Sequence, residues 1–501
     1  MLTKAANPER SEANYGEPLE AVPQPSRADA LSHARDSRFA VRAARVSILA
    51  VTDAAVLGLA VACAYVVWAL PQRQQPVDLY LELVPLLGLF IMGYAQAGLY
   101  PGFGLGPVET LRRVSYVTGF GFLILAAFSF ALQLPHLYSR VTFVLAVALS
   151  LLLVPLGRAL VFHVANRWSW WAEPVVVVGT GRRAHKAVKS LQNGAELGYR
   201  PVAVLGLPGQ PAPASIHGVA VAGGLEQARA LAARGIQVAL LEADTRLDRA
   251  TLDRLQQDFR HVVLLREYDD MPVEGLQVRN LGDIVGIEYT NKLLLRENRI
   301  AKRALDVVVG SVAFVAAAPI IACAAAIVRL IDGGPVFFRQ ERTGLAGRPI
   351  AVPKIRTMKR DADARLSEHL AANPGLREEW ESSYKLKSDP RLISVAGRLF
   401  RRFSLDELPQ LWTVIKGDMS LVGPRPFPEY HLAKFSPDFL ELRRRVRPGI
   451  TGLWQVVVRS DGGGEEQEAY DSYYIRNWSV WLDIYILSRT LAAVASGKGA
   501  Y

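Results

Sequence analysis

Long apolar stretches alternate with polar, charged segments along this 501-residue chain. Four stretches, at about 46–70, 79–100, 115–134 and 141–162, each approach the roughly 20 residues that a helix needs to span a bilayer. The segment before them, residues 1–40, is polar and rich in Pro, Ser, Ala, Glu and Arg, a composition typical of a disordered tail. The pattern therefore predicts a disordered tail at 1–40 and a four-helix membrane domain at 41–165.

Arginines flank these stretches unevenly. More of them lie before the first stretch, in the second loop and after the fourth stretch than lie in the first and third loops. The first group is Arg35, Arg38, Arg42, Arg45, Arg112, Arg113, Arg158 and Arg167, and the second is Arg73 and Arg140. Because basic loops stay on the cytoplasmic side, we expect the N-terminus, the second loop and everything after residue 165 to face the cytoplasm.

A fifth apolar stretch, at about 304–328, differs from the other four because it has Pro319 near its middle and basic residues on both sides. Both flanks therefore favour the cytoplasmic side. We expect a re-entrant helix, broken at Pro319, that enters the bilayer and returns. A kinked helix that crosses the bilayer is the alternative.

The middle of the chain, residues 172–290, has the pattern of a soluble α/β domain. The run PVVVVG (174–179) predicts a buried parallel strand, and YRPVAVLGL, VALLEA and HVVLLRE predict further strands. The first strand leads into GTGRRA (179–184), which resembles a dinucleotide-binding turn. The second strand ends without the acid that would hold a ribose. We therefore expect a Rossmann-like fold without NAD, which binds another nucleotide or serves in assembly as a homodimer.

The last third, residues 299–501, places two adjacent acids, Asp406 and Glu407, in the segment SLDELPQLW (404–412). Ser404 and Glu407 fit a capping box at a helix start. The alternative is phosphoryl chemistry, in which one acid attacks phosphorus and the other holds Mg²⁺. Basic residues in nearby segments rich in Gly and Pro are candidate ligands for substrate phosphates. They are Arg339, Arg342, Lys354, Arg356, Arg391, Arg402 and Arg425.

The net charge of the chain is +11, which suits anionic lipid, phosphate ligands or nucleic acid. We do not expect nucleic-acid binding, because membrane flanks and a phosphate site account for the charge better. The two cysteines, Cys63 and Cys323, lie in apolar segments and offer neither a metal-ligand spacing nor a disulfide framework.

Several motifs occur in one order through the last third. They are KRALD, GPVFFRQERTG, KIRTM, DPR, SLDELPQLW, KGDMSLVGPRP, PGITGLWQV and YIRNWS. In these residues the chain resembles the polyprenyl-phosphate sugar-1-phosphate transferases, the large monotopic phosphoglycosyl transferases. The resemblance implies a monotopic, mainly α catalytic domain whose re-entrant helix falls on 304–328. The chain has Ala318 before Pro319, where family members often carry serine.

The resemblance also implies a reaction at the cytoplasmic face of the bacterial inner membrane. Asp406 would attack the β-phosphate of a UDP-sugar, with Glu407 as its partner at Mg²⁺, and UMP would leave. Undecaprenyl phosphate would then take the sugar phosphate from the aspartyl intermediate. The product would be the first membrane-linked intermediate of a surface polysaccharide, such as exopolysaccharide or the O-antigen of lipopolysaccharide. The likeness is greatest to the subgroup that transfers galactose 1-phosphate.

Three alternatives stay open from the residues. The same chemistry would serve glucose or an N-acetylated sugar, because these differ by one or two hydroxyl or amide contacts. An NAD-dependent enzyme that modifies nucleotide sugars would use the GTGRRA turn. A non-enzymatic scaffold for polysaccharide export would need neither the acidic pair nor the turn.

Overall fold

The computed structural model divides into two compact units, Met1–Asp269 and Asp270–Tyr501. It describes residues 29–72, 84–131, 139–168, 170–194, 197–211, 213–242, 249–265, 276–280, 285–289, 292, 295–359, 362, 366, 368, 371–372, 391–393, 395–432, 435–458 and 463–496. Residues 1–28 of the predicted tail lie outside these residues, and residues 29–40 form the start of the helix Asp29–Ala64.

The first unit begins with a set of apolar helices. They are Asp29–Ala64, continued by a π-helical turn at Tyr65–Ala69, then Val84–Leu86 with Leu87–Gln96, Pro107–Ala131 and Arg140–Ala165. Three segments here are long and apolar enough to cross a membrane: Ala40–Ala69, Pro107–Ala131 and Arg140–Ala165. The predicted second span, 79–100, appears among the described residues as the shorter apolar helix Val84–Gln96, and its first part lies outside them.

A buried ion pair joins the first and last of these helices. Arg158 and Asp53 lie 2.5 Å apart, and the Tyr100 hydroxyl donates a hydrogen bond to Asp53 at 2.6 Å. Arg158 also donates to the carbonyl oxygen of Leu99. Charges in an apolar bundle require such partners. Arg158, predicted from the sequence to be a loop charge, is therefore a packing residue of the helix bundle.

A parallel sheet forms the core of the middle domain. The strands of this domain are β1 (Glu173–Val178), β2 (Tyr199–Leu205), β3 (Ser215–Ile216), β4 (Val219–Ala220), β5 (Val238–Glu242) and β6 (His261–Leu265). The sheet has the order β2-β1-β5-β6, and all of its pairs are parallel. Its helices are Arg182–Asn193, Ala228–Ala233 and Arg249–Asp258. All four predicted strands are present, and the α/β class is as expected; the finer Rossmann likeness stays a prediction.

A helix and a loop of the membrane domain contact this sheet domain and the segment that leads into it. Arg45 donates hydrogen bonds to the carbonyl oxygens of Trp170 and Ala172, and the amide of Gly104 donates to Leu197 at 2.8 Å. The loop after the short apolar helix therefore lies on the same side of the bundle as the middle domain. This agrees with the predicted sidedness of the second loop, while the choice of the cytoplasmic side stays a prediction.

The second unit is mainly helical, as expected. Its strands are β7 (Leu276–Asn280), β8 (Val285–Tyr289), β9 (Phe337–Thr343), β10 (Pro349–Ile355), β11 (Ser420–Val422) and β12 (Gly449–Thr451). The pairs β7–β8 and β9–β10 are antiparallel, whereas β11–β12 is parallel. The helices are Arg296–Asp332, Val395–Arg402, Gln410–Lys416, Glu429–Leu432, Pro437–Arg444, Leu453–Val457, Gly464–Arg476 and Val480–Ser496.

The long helix Arg296–Asp332 contains the predicted re-entrant segment. It is apolar enough to cross a membrane, and its secondary structure is continuous through Pro319. The predicted break is therefore not present as an end of the helix. Exposed apolar side chains such as Val308, Val312 and Val315 need a cover that lipid would supply. The path of this helix in a bilayer, re-entrant or crossing, stays a prediction.

A buried polar cluster fastens the start of this long helix to the rest of the unit. The Lys302 ammonium lies 2.8 Å from Asp483, which is fully buried. Asp306 accepts hydrogen bonds from the Ser420 hydroxyl at 2.9 Å and from the Leu421 amide at 3.0 Å. Because breaking a buried charge pair is costly, this cluster fixes the position of β11 relative to the helix.

Candidate active site

The two adjacent acids lie in a single 3₁₀ turn, Leu405–Glu407, between the helices Val395–Arg402 and Gln410–Lys416. The predicted capping box is wrong. Ser404 has a left-handed backbone with φ of 53°, and its side chain makes no capping hydrogen bond with a described residue. A capping serine needs an extended backbone to direct its hydroxyl at the helix N–H groups. Instead, the Ser404 carbonyl oxygen accepts the Glu407 amide at 3.2 Å.

Asp406 is buried, with 8% of its surface exposed. Burial raises the pKa of Asp406 to about 6, and the neighbouring charge of Glu407 adds to the rise. The charges of Lys354 and Arg401 act in the opposite direction. A carboxylate that is poorly solvated and ionises near neutral pH suits a nucleophile.

Glu407, in contrast, is held ionised by two neighbouring cations. Its Oε1 atom accepts one hydrogen bond from Lys354 Nζ and one from Arg425 Nη2, both at 2.8 Å. Burial acts against the charge, but Arg425 and Lys354 outweigh it and hold the pKa of Glu407 at about 2. Two adjacent carboxyl groups whose pKa values move apart are suited to different roles.

The two cations reach Glu407 from different parts of the unit. Lys354 lies on β10, opposite Phe338 of β9, and Arg425 lies just after β11. The carbonyl oxygen of Arg425 accepts a hydrogen bond from Arg443, which also pairs with buried Asp471 at 3.2 Å. The Arg443–Asp471 pair thus holds the backbone of Arg425 in place.

A small pocket opens beside this turn. Its lining includes Arg342, Lys354, Glu407, Gln410 and Arg425. Of the predicted site residues, the structure therefore brings together Arg342, Lys354, Arg425 and Glu407, with Asp406 next to Glu407 in the chain. The pocket is lined by three cationic side chains and one carboxylate. This excess of positive charge suits the oxygens of a pyrophosphate.

Four of the predicted ligands lie outside this group. Arg339 is exposed on β9, and Arg402 is exposed, with its guanidinium 5.7 Å from the ring of Phe403. Arg356 is buried and pairs with Asp332 at 2.6 Å.

Arg391 is also buried, and its carbonyl oxygen accepts the Lys359 amide at 2.8 Å. Pro319, which was predicted as the break of the re-entrant helix, lies inside the long apolar helix.

Arg401 is a further residue near the acids, and the sequence pattern did not predict it. Its charge lowers the pKa of Asp406, and its Nε atom donates to the Thr357 hydroxyl at 3.1 Å. Adjacent residues on a helix point about 100° apart, so Arg401 and Arg402 cannot both face the acids. The sequence shows the two arginines but not the rotation of the helix Val395–Arg402 about its axis.

The family resemblance implies Mg²⁺ at the acidic pair. Among the described residues, no group of three or more His, Cys, Asp and Glu side chains is placed to hold a metal. The pair nevertheless fits Mg²⁺, because this ion commonly binds through one or two carboxylates together with phosphate oxygens and water. The side chains fit a metal that arrives with a pyrophosphate rather than one held by protein ligands alone.

Comparisons with known proteins agree with this geometry. Residues 297–497 match the family described as bacterial sugar transferase, and residues 98–241 match a family described as a CoA-binding domain. The chain is 33% identical over 373 residues to the UDP-galactose-lipid carrier transferase of Erwinia amylovora, an alignment that covers 72% of this chain and 76% of the relative.

Two further relatives have related names. The undecaprenyl-phosphate galactose phosphotransferase of Salmonella typhimurium is 32% identical, over 73% of this chain and 77% of the relative. The UDP-glucose:undecaprenyl-phosphate glucose-1-phosphate transferase of Escherichia coli is 30% identical, over 65% of this chain and 68% of the relative. The chain therefore belongs to the bacterial sugar transferase family and is a membrane-associated phosphoglycosyl transferase.

Proposed function

We propose that this enzyme transfers a sugar 1-phosphate, with galactose 1-phosphate as the first choice, from a UDP-sugar to undecaprenyl phosphate, with release of UMP. The observation that supports this proposal is the acidic turn itself. Asp406 ionises near neutral pH beside Glu407, which two cations hold ionised, and Glu407 lines a cationic pocket. This is the arrangement that a carboxylate attack on a pyrophosphate requires.

In the first step, a carboxylate oxygen of Asp406 forms a bond to the β-phosphorus of the UDP-sugar. The bond from that phosphorus to the bridging oxygen breaks, and UMP leaves with the electron pair. Lys354, Arg425 and Arg342 would bind the phosphate oxygens and stabilise their charge during attack. The sugar phosphate is then carried on Asp406 as an acyl phosphate.

In the second step, a phosphate oxygen of undecaprenyl phosphate attacks the same phosphorus. The bond to Asp406 breaks, and the carboxylate is restored. Asp406 must therefore be both a nucleophile and a leaving group. A pKa of about 6 suits both roles, because the group ionises at neutral pH and is still a weak base.

Mg²⁺ is part of this proposal. When bound at the site, the ion would neutralise developing charge on the phosphates. Asp406 and Glu407 would hold it. Removing Mg²⁺ with a chelator is expected to stop UMP release, and undiminished release in the chelator would remove the metal from the proposal.

We also propose that the enzyme lies in the bacterial inner membrane with its catalytic unit facing the cytoplasm. The unequal distribution of arginines around the apolar segments supports this orientation. A cysteine introduced just after Arg329 is expected to react with a label only when the cytoplasmic face is accessible. Reaction from the opposite face would mean that the helix Arg296–Asp332 crosses the bilayer.

The sugar can be identified by UMP release from the purified enzyme with Mg²⁺, undecaprenyl phosphate and one UDP-sugar at a time. UDP-galactose is expected to give the fastest release, since two of the relatives named above are named for galactose. UDP-glucose is the second candidate, because the Escherichia coli relative is named for glucose. Faster release from UDP-glucose or UDP-N-acetylglucosamine would replace galactose but keep the reaction class.

A further inference from the structure

The glycine turn of the middle domain lies beside an acid, Glu242, that comes 61 positions after Gly181 in the chain. Glu242 is the last residue of β5, which is the direct neighbour of β1, with Leu241 opposite Val178. Because these strands are parallel, their carboxyl ends meet at one edge of the sheet. Glu242 therefore adjoins the turn that begins at Gly179.

The carboxylate of Glu242 occupies the hydrogen-bond donors of this turn. Its two oxygens accept the amide of Gly181 at 2.9 Å and the amide of Arg183 at 3.2 Å. Glu242 is buried, with 9% of its surface exposed. These amides begin the helix Arg182–Asn193, and free amides at that position are what bind a phosphate in a dinucleotide-binding fold.

A second side chain occupies a further donor of the turn. The amide of Thr180 donates to the Gln210 side-chain oxygen at 2.7 Å, and the Thr180 hydroxyl donates to the Pro211 carbonyl oxygen at 2.5 Å. Gln210 follows β2, in the region where dinucleotide-binding proteins carry their ribose-binding acid. The segment after β2 thus lies against the turn that a ligand would have to approach.

The glycines also fit the internal acid without any ligand. A side-chain Cβ at Gly179 or Gly181 would lie 2.5 Å from a carboxylate oxygen of Glu242, closer than real contacts allow. Gly179 has a φ of +120°, which disfavours other residues. The glycine pattern that resembles a cofactor motif therefore also accommodates the close approach of Glu242.

We infer that Glu242 takes the place of a phosphate at this turn, so that the middle domain binds neither CoA nor NAD there. Instead, the hydrogen bonds of Glu242 to the turn connect β5 to β1 and to the helix Arg182–Asn193. A pyrophosphate would meet occupied amides and a like charge. The residues present do not fit the cofactor in the description of the matching CoA-binding family, and the NAD-dependent alternative loses its site.

Hydrogen–deuterium exchange of the full-length enzyme in lipid nanodiscs tests this inference without an activity assay. We expect the amides of residues 179–184 to exchange at the same rate with and without CoA, NAD⁺ or inorganic phosphate, each at about 1 mM. In Glu242→Ala, exchange at Gly181 and Arg183 should be roughly ten- to a hundredfold faster. Inorganic phosphate should then slow it again in that variant alone.

Glu226→Ala is the matched control. Glu226 is an exposed acid of the same domain that also accepts a backbone amide, that of Gly224 at 2.7 Å. Its removal should leave exchange at 179–184 unchanged. Protection of residues 179–184 by CoA, NAD⁺ or phosphate in the wild-type enzyme would overturn the inference. Unchanged exchange at residues 179–184 in a folded Glu242→Ala variant would overturn the inference as well. If that variant does not fold, the wild-type measurements with and without CoA, NAD⁺ and phosphate decide.

Discussion

The turn at Leu405–Glu407 and the turn that begins at Gly179 both carry sequence signals of phosphate chemistry, and both lie next to the start of a helix. The first turn contains the buried carboxylate of Asp406, and the second adjoins the buried carboxylate of Glu242. At the first turn, the acid Glu407 shares one oxygen between two cations that also line a pocket. At the second, Glu242 bonds two backbone amides, and Gln210 covers a third.

The difference lies in which groups remain available for a ligand. In the catalytic unit, cationic side chains exceed the acids and adjoin an open pocket, so a phosphate can compete for them. In the middle domain, the amides of Thr180, Gly181 and Arg183 have internal acceptors, so a phosphate that binds these amides would have to displace a carboxylate. A motif therefore indicates that donors are present, whereas the structure indicates whether they are free.

The largest expected effect comes from the same chemical change at the two turns. Asp406→Asn should lower UMP release by at least about 10³-fold, because an amide cannot attack phosphorus. Glu242→Gln should leave the rate per folded enzyme within about twofold, because the contacts of Glu242 among the described residues lie in the middle domain. Comparable losses of UMP release in both variants would contradict the different roles assigned to the two turns.

A smaller effect is expected from the cations around Glu407. Arg425→Gln should lower the catalytic rate by about 10- to 100-fold, since it removes one of the two charges that hold Glu407 ionised and face the pocket. Arg339→Gln is the matched control on β9, where the side chain is exposed. Equal rates for the two variants would argue against the pocket as the site of phosphate binding.

The adjacent residues Arg401 and Arg402 test which side chain acts on Asp406. Arg401→Gln should lower the rate at pH 7 by about three- to tenfold and move the acidic limb of the pH profile upward. The reason is that Arg401 lowers the pKa of Asp406. Arg402→Gln should change neither, because Arg402 lies exposed against Phe403. A shift of the pH profile in Arg402→Gln instead would mean that the helix presents the other arginine to the acid.

The smallest effect concerns stability. The pKa of Asp406 is raised from 3.8 to about 6, so its contribution is fully present below pH 3.8 and is lost as the pH rises through 6. Asp406→Asn should therefore stabilise the catalytic unit at pH 8 by about 1–3 kcal/mol and have little effect at pH 4. Thermal unfolding of both proteins at the two pH values measures this, and destabilisation at pH 8 would contradict the assigned environment.

Much of this architecture could be predicted because it depends on local pattern. The continuous apolar runs predict the strands β1, β2, β5 and β6, and the acidic pair is adjacent in the sequence. The partners of Glu407 could not be predicted in the same way, since Lys354 lies 53 positions away and Arg425 lies 18 positions away.

The direction of each side chain was the second feature that could not be predicted from the sequence. Side chains alternate between the faces of a strand, so Arg339 and Arg342 on β9 point to opposite faces. The basic run alone does not say which face adjoins the acids. Glu242 was missed for a related reason, because only the pairing of β5 with β1 brings it to the glycine turn.

The central claim, that Asp406 carries the sugar phosphate, is tested most directly by trapping the intermediate. The enzyme would be incubated with Mg²⁺ and UDP-galactose labelled in the β-phosphate, without undecaprenyl phosphate, then denatured, digested and analysed by mass spectrometry. We predict one labelled peptide that contains Asp406 and loses its label in Asp406→Asn. UMP release that occurs only with undecaprenyl phosphate, with no label on the protein, would contradict the account and indicate direct transfer between the substrates.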